Sequence, residues 1–313
     1  MANPGRRAGP GRRAGPGRRA APGWRGRASR ALIGLSWAVV AALGVVTGFH
    51  LARREPWNIV LGLIAVTPWV YMLAWVTAAT GLWTARRGLA VVSLVLVGFQ
   101  VWWVLPDFDP VPHLARPVPG ASRLLIFDLN VSQNNDDLVP VARAIEAYHP
   151  DIVALEELNP LALKSLYATK AMKPYDYSIV DARWGSFGMA LWSRERLSNL
   201  QEWYADGHPE LRAWLWSGAH RRARLDVVHT EAPYGSGEPQ GWSGEFAALE
   251  AGLAREPRPT VVVGDFNATW YDWHFQSLMH LGWRDAAVVA GEGWRMTFPR
   301  NQAPVPSYIR IDH

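Results

Sequence analysis

The 313-residue sequence contains no cysteine. That absence excludes a disulfide framework, a thiolate metal site and a cysteine nucleophile, and it leaves a location outside the cytoplasm open, because a secreted domain can fold without disulfides. Acidic residues are missing from the first 30 positions, which carry nine Arg. Charge of either sign is missing from residues 31–51, 57–84 and 88–106, runs of 21, 28 and 19 residues. A soluble domain needs a polar face on each surface element, so the first 119 residues read as tail and membrane. Residues 120–313 hold 18 basic and 24 acidic side chains and are long enough to bury a core of their own. The formal charge of +5 is therefore an average over three unlike regions: a basic tail, a nearly neutral apolar stretch and an acidic domain.

The tail, residues 1–30, is built on a repeat, GRRAGP, GRRAGP, GRRAAP, over positions 5–22. Such a composition can neither bury apolar area nor hold a helix, and it predicts disorder. Its Arg serve either as a topology signal that keeps the N-terminus in the cytoplasm or as a tether for anionic lipid or nucleic acid. Each uncharged run is close to the about 20 residues that a spanning helix needs, which predicts three transmembrane helices within residues 31–106. Arg53, Arg54 and Glu55 form one turn between them, and Arg86 and Arg87 the other. Trp57, Trp83, Trp102 and Trp103 fall near run ends, as in an aromatic belt. Arg concentrate in the tail and at 86–87, so the positive-inside rule puts the N-terminus in the cytoplasm. Three crossings of the cell membrane then place residues 120–313 outside, after a Pro-rich linker, residues 107–119. The expected partner of this region is the bilayer; no obligate protein partner is evident.

Within the domain, strand-like runs alternate with helical ones. Residues 123–131, 151–158, 188–193, 224–230 and 260–266 read as strands. Residues 137–148, with Leu138, Val141, Ala142 and Ile145 on one face after the candidate caps Asn135 and Asp136, read as a helix, as do 243–254 and 274–281. The class is α/β or α+β. Polar residues stand at the ends of the apolar runs: Asn130, Glu157, His229, Asp265 and Asn267. Taken singly, a strand-end Asn or Asp is most often a turn former, and His229 could be a satisfied core histidine. Together they form a rim of carboxylates, carboxamides and an imidazole. Oxygen ligands without thiolate suit a hard divalent ion such as Mg²⁺ or Mn²⁺, which polarises a phosphoryl oxygen while amides and imidazole donate to the others. The chemistry inferred is phosphoester cleavage.

LNV (129–131), DIVALEEL (151–158), GMALWSR (188–194), VVHTEAP (227–233), GDFNA (264–268) and RIDH (310–313) follow one another in an order that resembles the endonuclease/exonuclease/phosphatase superfamily, the fold of deoxyribonuclease I, neutral sphingomyelinases and inositol-polyphosphate phosphatases. GDFNA after an apolar strand is the most specific of these segments. The resemblance covers about residues 120–313 and implies a four-layer α/β sandwich with two central sheets, here preceded by the three transmembrane helices. It implies that Glu157 is the metal-binding glutamate, with Asn130 and Asp265 beside the metal. It further implies that His229 contacts the phosphate, Asp265 aligns the attacking water, Asn267 holds phosphate or metal-bound water, and Asp312 orients the catalytic His. Glu156 stands where the family usually has Gln, and strand alternation lets only one of Glu156 and Glu157 face the rim.

Relatives carry that catalytic His in a Ser-Asp-His segment beyond the position of Asp312, with closing strands, whereas this sequence ends at His313. The resemblance gives His313 an ordinary strand role. The sequence is thus expected to be a fragment of an active enzyme with one sheet edge unpaired; the alternative is a catalytically impaired, membrane-tethered binding or assembly protein on the same fold. ATWYDWHF (268–275) departs from the family pattern, and its Trp270 and Trp273 suit a lipid interface, a base-stacking surface or core packing. The acidic domain gives no support to a broad grip on nucleic acid. The expected activity is Mg²⁺-dependent hydrolysis of phosphodiesters or phosphomonoesters outside the cytoplasm, with lipid head groups favoured over nucleic acid. The topology is testable: a reporter active only in the cytoplasm, fused after Gly120, should be silent, and an active fusion would reverse the orientation.

Overall fold

A computed structural model describes residues 24–111, 123–217, 221–233, 239–255, 259–300 and 304–313. The repeat tail through residue 23 and the linker from 112 to 119 lie outside the described residues. Where the predicted tail ends, the structure is already helical: α1 runs Trp24–Leu51, about 42 Å at 1.5 Å per residue, longer than the roughly 30 Å apolar core of a bilayer.

The second predicted span is not one straight helix. It divides into α2 (Asn58–Ala65), α3 (Thr67–Val70) and α4 (Met72–Trp83), and α2 is bent 78° from the segment that follows. Two helices, α1 and α5 (Arg87–Val104), are therefore long and apolar enough to cross a membrane unbroken, and a third crossing exists only if the bent pair is one span. The cause of the break is Pro68, which has no N–H to donate. Side chains satisfy the exposed backbone: Thr67 Oγ1 donates to Ile64 O at 2.6 Å and Gln100 Nε2 to Pro68 O at 2.7 Å. Inside the bundle Thr47 and Tyr71 share a 2.7 Å hydrogen bond, while Leu35, Val76, Val91 and Val95 stand exposed on its outside.

The predicted α/β sandwich is present. One sheet has the order β1 (Ile126–Asn130), β2 (Ile152–Glu156), β4 (Met189–Ser193), β3 (Tyr177–Asp181). The other has the order β5 (Leu197–Ala205), β6 (His208–Ser217), β7 (Arg221–His229), β8 (Thr260–Asp265). In each sheet one pair is parallel, β1 with β2 and β7 with β8. The sheets pack through Ile152, Ala154, Leu191, Leu211, Leu225 and Val227, all nearly inaccessible. β2 is buried along its whole length, which is why its apolar run does not alternate.

Helices α6 (Val139–Tyr148) and α7 (Pro160–Tyr167) cover the first sheet, with Leu138, Ala142 and Ile145 facing it. Helices α8 (Pro239–Leu253) and α9 (Trp273–His280) cover the second through Phe246, Leu249, Phe275 and Leu278. The caps proposed for α6 do not serve: Leu138 precedes the helix, and Asp137 Oδ1 accepts from Val139 N. A short helix, α10 (Ala286–Ala290), completes the described elements. The edge beyond β8, expected to be unpaired, is covered by residues 311–313: Phe266 N donates to Ile311 O at 3.0 Å and His313 N to Gly264 O at 3.0 Å.

The helical region and the sandwich share an interface. Leu61 of α2 sits in the cluster beneath α8 and α9, and Tyr271 in that of the bundle. The predicted linker is docked where it begins: the Asp107 carboxylate accepts from the Tyr271 hydroxyl and Val111 N donates to Val289 O.

Close approach of backbone fixes Gly264. A Cβ there would lie 1.9 Å from Val228 O, at φ +137. Gly264→Ala is expected to destabilise the chain by about 3 kcal/mol or more, read as a lower melting temperature. Unchanged melting would mean that β7 and β8 can separate at this point.

Candidate active site

Asn130, Glu156, His229 and Asp265 are the last residues of β1, β2, β7 and β8. Because each parallel pair is in register, Asn130 opposite Glu156 and His229 opposite Asp265, these ends lie level, and the chain leaves both sheets on the same side. They frame a cleft of about 570 Å³. Asn130, Glu157, His229, Asp265, Asn267 and Asp312 all line it, so the structure brings together every residue singled out from the sequence.

The Asn130 carboxamide is central. Its Nδ2 donates to Glu157 Oε1 at 2.9 Å and to Asp265 Oδ2 at 3.1 Å, while its Oδ1 accepts from Ser132 N at 2.9 Å. Glu157 Oε2 accepts from Gln133 N at 2.7 Å, and His229 Nε2 lies 3.7 Å from Glu157 Oε1. Asp265 Oδ1 accepts from Asn267 N at 2.8 Å, and Asn267 Nδ2 donates to Thr230 O at 2.7 Å. Glu157 and Asn267 both take left-handed backbone, φ 55 and 45, a conformation that costs a non-glycine residue of order 1 kcal/mol and that concentrates at functional sites. At Glu157 this turn ends β2 and separates two neighbours: Glu157 lines the cleft, while Glu156 has no accessible surface.

Glu156 is the first residue whose environment the sequence did not disclose. It meets Asp128 of β1, which itself lines the cleft, with Asp265 and Asp312 nearby. Burial, then Asp128, drives the Glu156 carboxyl well up, and burial pushes Asp128 up to about 7. Two carboxyls in contact without solvent share a proton more readily than they carry two charges. Burial, then Asp312, also raises Asp265. Burial lowers His229, whose ring is therefore held neutral against the pull of Glu157.

A second undisclosed layer supports His229. Its backbone N donates at 2.9 Å to Oε2 of Glu210 on β6, which is wholly buried. Glu245 of α8 stands behind it, 3.0 Å from His208 Nδ1, and accepts from Glu231 N at 2.8 Å. The turn into β6 was legible: Asp206-Gly207, both at positive φ, is a hairpin signal. The inward face of Glu210 was not, because a buried acid looks like a surface strand residue in sequence. Ser186, Thr297 and Arg300 also line the cleft unforeseen. His313, given an ordinary role, is fixed away from the cleft: Nδ1 is 2.6 Å from Asp285 Oδ2, Nε2 is 3.0 Å from Ala268 O, and its ring lies 3.9 Å from Phe275.

The donor set tests the site for a metal. It is all oxygen and imidazole, and its carboxyls crowd so closely that burial keeps some of them protonated, the electrostatic situation a divalent cation relieves. Among the described residues no three His, Asp or Glu side chains form a cage; the oxygen donors that are present are of the kind a hard divalent cation takes.

The sequence pattern of the Endonuclease/Exonuclease/phosphatase family matches residues 127–313, more than half of the chain, and the chain belongs to that family. No curated protein sequence matches it. Similar solved structures include the 3′ phosphatase NExo from Neisseria bound to a product DNA hairpin, at 21% identity over 61% of this chain and 85% of that one, TM-score 0.45. Another is sphingomyelinase C from Streptomyces griseocarneus, at 20% identity over 52% of this chain and 70% of that one, TM-score 0.41. A third is D. rerio TDP2 complexed with single-strand DNA product, at 18% identity over 55% and 65%, TM-score 0.40.

Glu245 supplies a pH test. Burial pushes its carboxyl from 4.5 up to about 7. Between those values the folded state keeps a proton that the unfolded chain has lost, so stability falls as pH rises through the window. Glu245→Gln does not titrate. From pH 4.5 to 7 the wild type should lose up to about 3 kcal/mol relative to this variant, measured as melting at each pH. A pH-independent difference would remove the argument from burial.

Proposed function

We propose that this chain is a membrane-anchored, Mg²⁺-dependent phosphoesterase whose cleft hydrolyses phosphodiesters or phosphomonoesters outside the cytoplasm, lipid head groups ahead of nucleic acid. The observation that carries it is the Asn130 bridge between Glu157 and Asp265, which joins the ends of both sheets into one oxygen-rich cleft in a member of a phosphoesterase family.

Glu157, Asn130 and Asp265 are the residues that would hold the cation, which supplies Lewis-acid polarisation of a phosphoryl oxygen and charge stabilisation of the leaving group. His229, neutral and buried, donates a hydrogen bond to a non-bridging oxygen. Asn267 presents its carboxamide beside it. Asp265, in the carboxylate form that a bound cation would favour, aligns a water for attack on phosphorus and accepts its proton as the ester P–O bond breaks; Asp312 stands opposite it on a backbone bridge.

Three features support the anchor. The outer surface of the bundle is apolar around α4 and α5, a larger patch than a soluble monomer exposes. Ala28, Leu32, Trp83 and Arg86 meet at one end of the bundle, whereas Glu55, Trp69 and Asp107 touch the domain at the other. The Arg-rich end is thus remote from the domain, as the positive-inside rule requires for a cytoplasmic N-terminus. Lipid esters are favoured because the domain is packed directly on the helices.

In the full chain, Asp265→Ala and His229→Ala are each expected to lower hydrolysis by at least about 10²-fold, with folding retained by melting. Chelation should abolish turnover, and Mg²⁺ or Mn²⁺ should restore it. A full chain that cleaves neither phospholipid nor nucleotide esters with either ion present would refute the assignment.

A further inference from the structure

A second cavity, of about 360 Å³, lies where the bundle meets the domain and shares no lining residue with the cleft. Its walls include Arg53 and Arg54 after α1, Trp102 and Trp103 near the end of α5, and Trp273 and His280 of α9. The Arg53 guanidinium is held in place: its carbon is 4.6 Å from the centre of the Trp273 ring and Nη2 is 3.4 Å from His280 Nε2. His280 Nδ1 faces Gln276 O at 2.7 Å, so Nδ1 carries the proton and Nε2 accepts. Among the described residues neither arginine pairs with a carboxylate. Glu55 is the one acid in the lining, and it is engaged elsewhere. Its side chain is 2% exposed, its Oε1 accepts from Trp273 N at 2.6 Å, and burial pushes its carboxyl up to about 8. Its carboxyl is thus turned to the Trp273 backbone rather than to either arginine.

We infer that this cavity binds the phosphate of an anionic phospholipid head group, through Arg53 and Arg54. Guanidinium matches phosphate oxygens in a bidentate fork. Leu51 and Trp102, both exposed, line the cavity, apolar surface for acyl chains that a free phosphate would leave unused. Indoles and arginines at the end of an apolar bundle are the side chains suited to a head-group layer. The bound lipid contacts α1, α5 and α9 together and so fixes the domain on the bilayer. This inference rests on the reading of the helices as membrane spans.

The test uses the full chain in phosphatidylcholine nanodiscs carrying trace spin-labelled phosphatidylglycerol or spin-labelled phosphatidylcholine, and reads the motionally restricted fraction of each. The wild type should prefer phosphatidylglycerol, and Arg53→Gln with Arg54→Gln should lower that preference by about fivefold per arginine. Trp273→Leu and His280→Gln keep the net charge but dismantle the cavity wall, and either should lower the preference too; diffuse surface attraction would leave it unchanged, which would overturn the inference. Asp265→Asn should retain the preference, and its loss there would move the lipid to the catalytic cleft. Displacement of the label by inorganic phosphate would assign the site to a soluble anion. Equal restriction of both lipids would overturn this inference alone, whereas restriction of neither would overturn the membrane reading beneath it.

Discussion

One carboxamide holds the site together. Asn130 closes the first sheet, Asp265 the second, and Glu157 the loop between β2 and α7, and the amide nitrogen of Asn130 touches both acids. A neutral side chain that donates to two carboxylates lets them approach without a full repulsive penalty, each charge-assisted bond contributing about 1.5–3 kcal/mol. The geometry depends on the level ending of two parallel strand pairs, which is a property of the registers rather than of any loop. It also depends on Gly264, where β8 passes so close to Val228 O that only hydrogen fits. Sandwich and cleft are therefore one construction: the apolar faces that pack the sheets decide where the polar strand ends meet.

The charge arrangement has two levels. Glu157 is partly open and hydrogen-bonded by a backbone amide and a carboxamide, whereas Asp128 and Glu156 lie beneath it in contact with each other. The upper carboxylates have donors; the lower pair has a shared proton instead. Two carboxyls that share one proton carry a single negative charge, and that charge contributes to the field felt by Asp265 and Asp312. Glu210 supports His229 from the neighbouring strand by accepting its backbone N–H. Replacing a buried acid by an amide at either place would keep the packing and change the field, which separates structural from electrostatic roles.

The sequence carried the architecture where local physics decides. The apolar runs before Asn130, Glu157 and Asp265 became strands, and the periodic run at 138–145 became a helix with the expected buried face. Asn130, Glu157, His229, Asp265 and Asn267 were legible because strand ends, not side-chain orientation, place them, whereas Asp312 was named only through the family resemblance. What stayed hidden is what non-local contacts decide. β5 is largely exposed along its middle and does not alternate, and the inward turn of Glu210 on β6 is visible only once β7 lies beside it. The break near Pro68 depends on Gln100, thirty-two positions away, to satisfy the freed carbonyl. Proline was visible in the run, but the partner that makes a sharp bend tolerable was not.

The acidity of the domain bears on how substrate arrives. Between residues 120 and 313 acids outnumber bases by 24 to 18, and five carboxyl side chains, Asp128, Glu157, Glu231, Asp265 and Asp312, line the cleft, so long-range electrostatics repels a phosphoester rather than steering it. A site of this kind depends on proximity. Packing the domain onto the bundle through Glu55, Trp69, Leu61 and Asp107 confines the cleft to a thin layer next to the helices, and on the proposed reading that layer is a lipid surface, where effective concentration replaces attraction. The same packing sets the orientation of the cleft, because four separate contacts leave the domain little freedom to turn. The positive charge near the interface then belongs to Arg53 and Arg54 rather than to the catalytic domain. On the proposed reading, holding and hydrolysis are divided between two cavities of opposite electrostatic character. Trp270, in the wall of the second cavity, follows three residues after Asn267 of the first, so the chain that shapes the cleft also reaches the bundle.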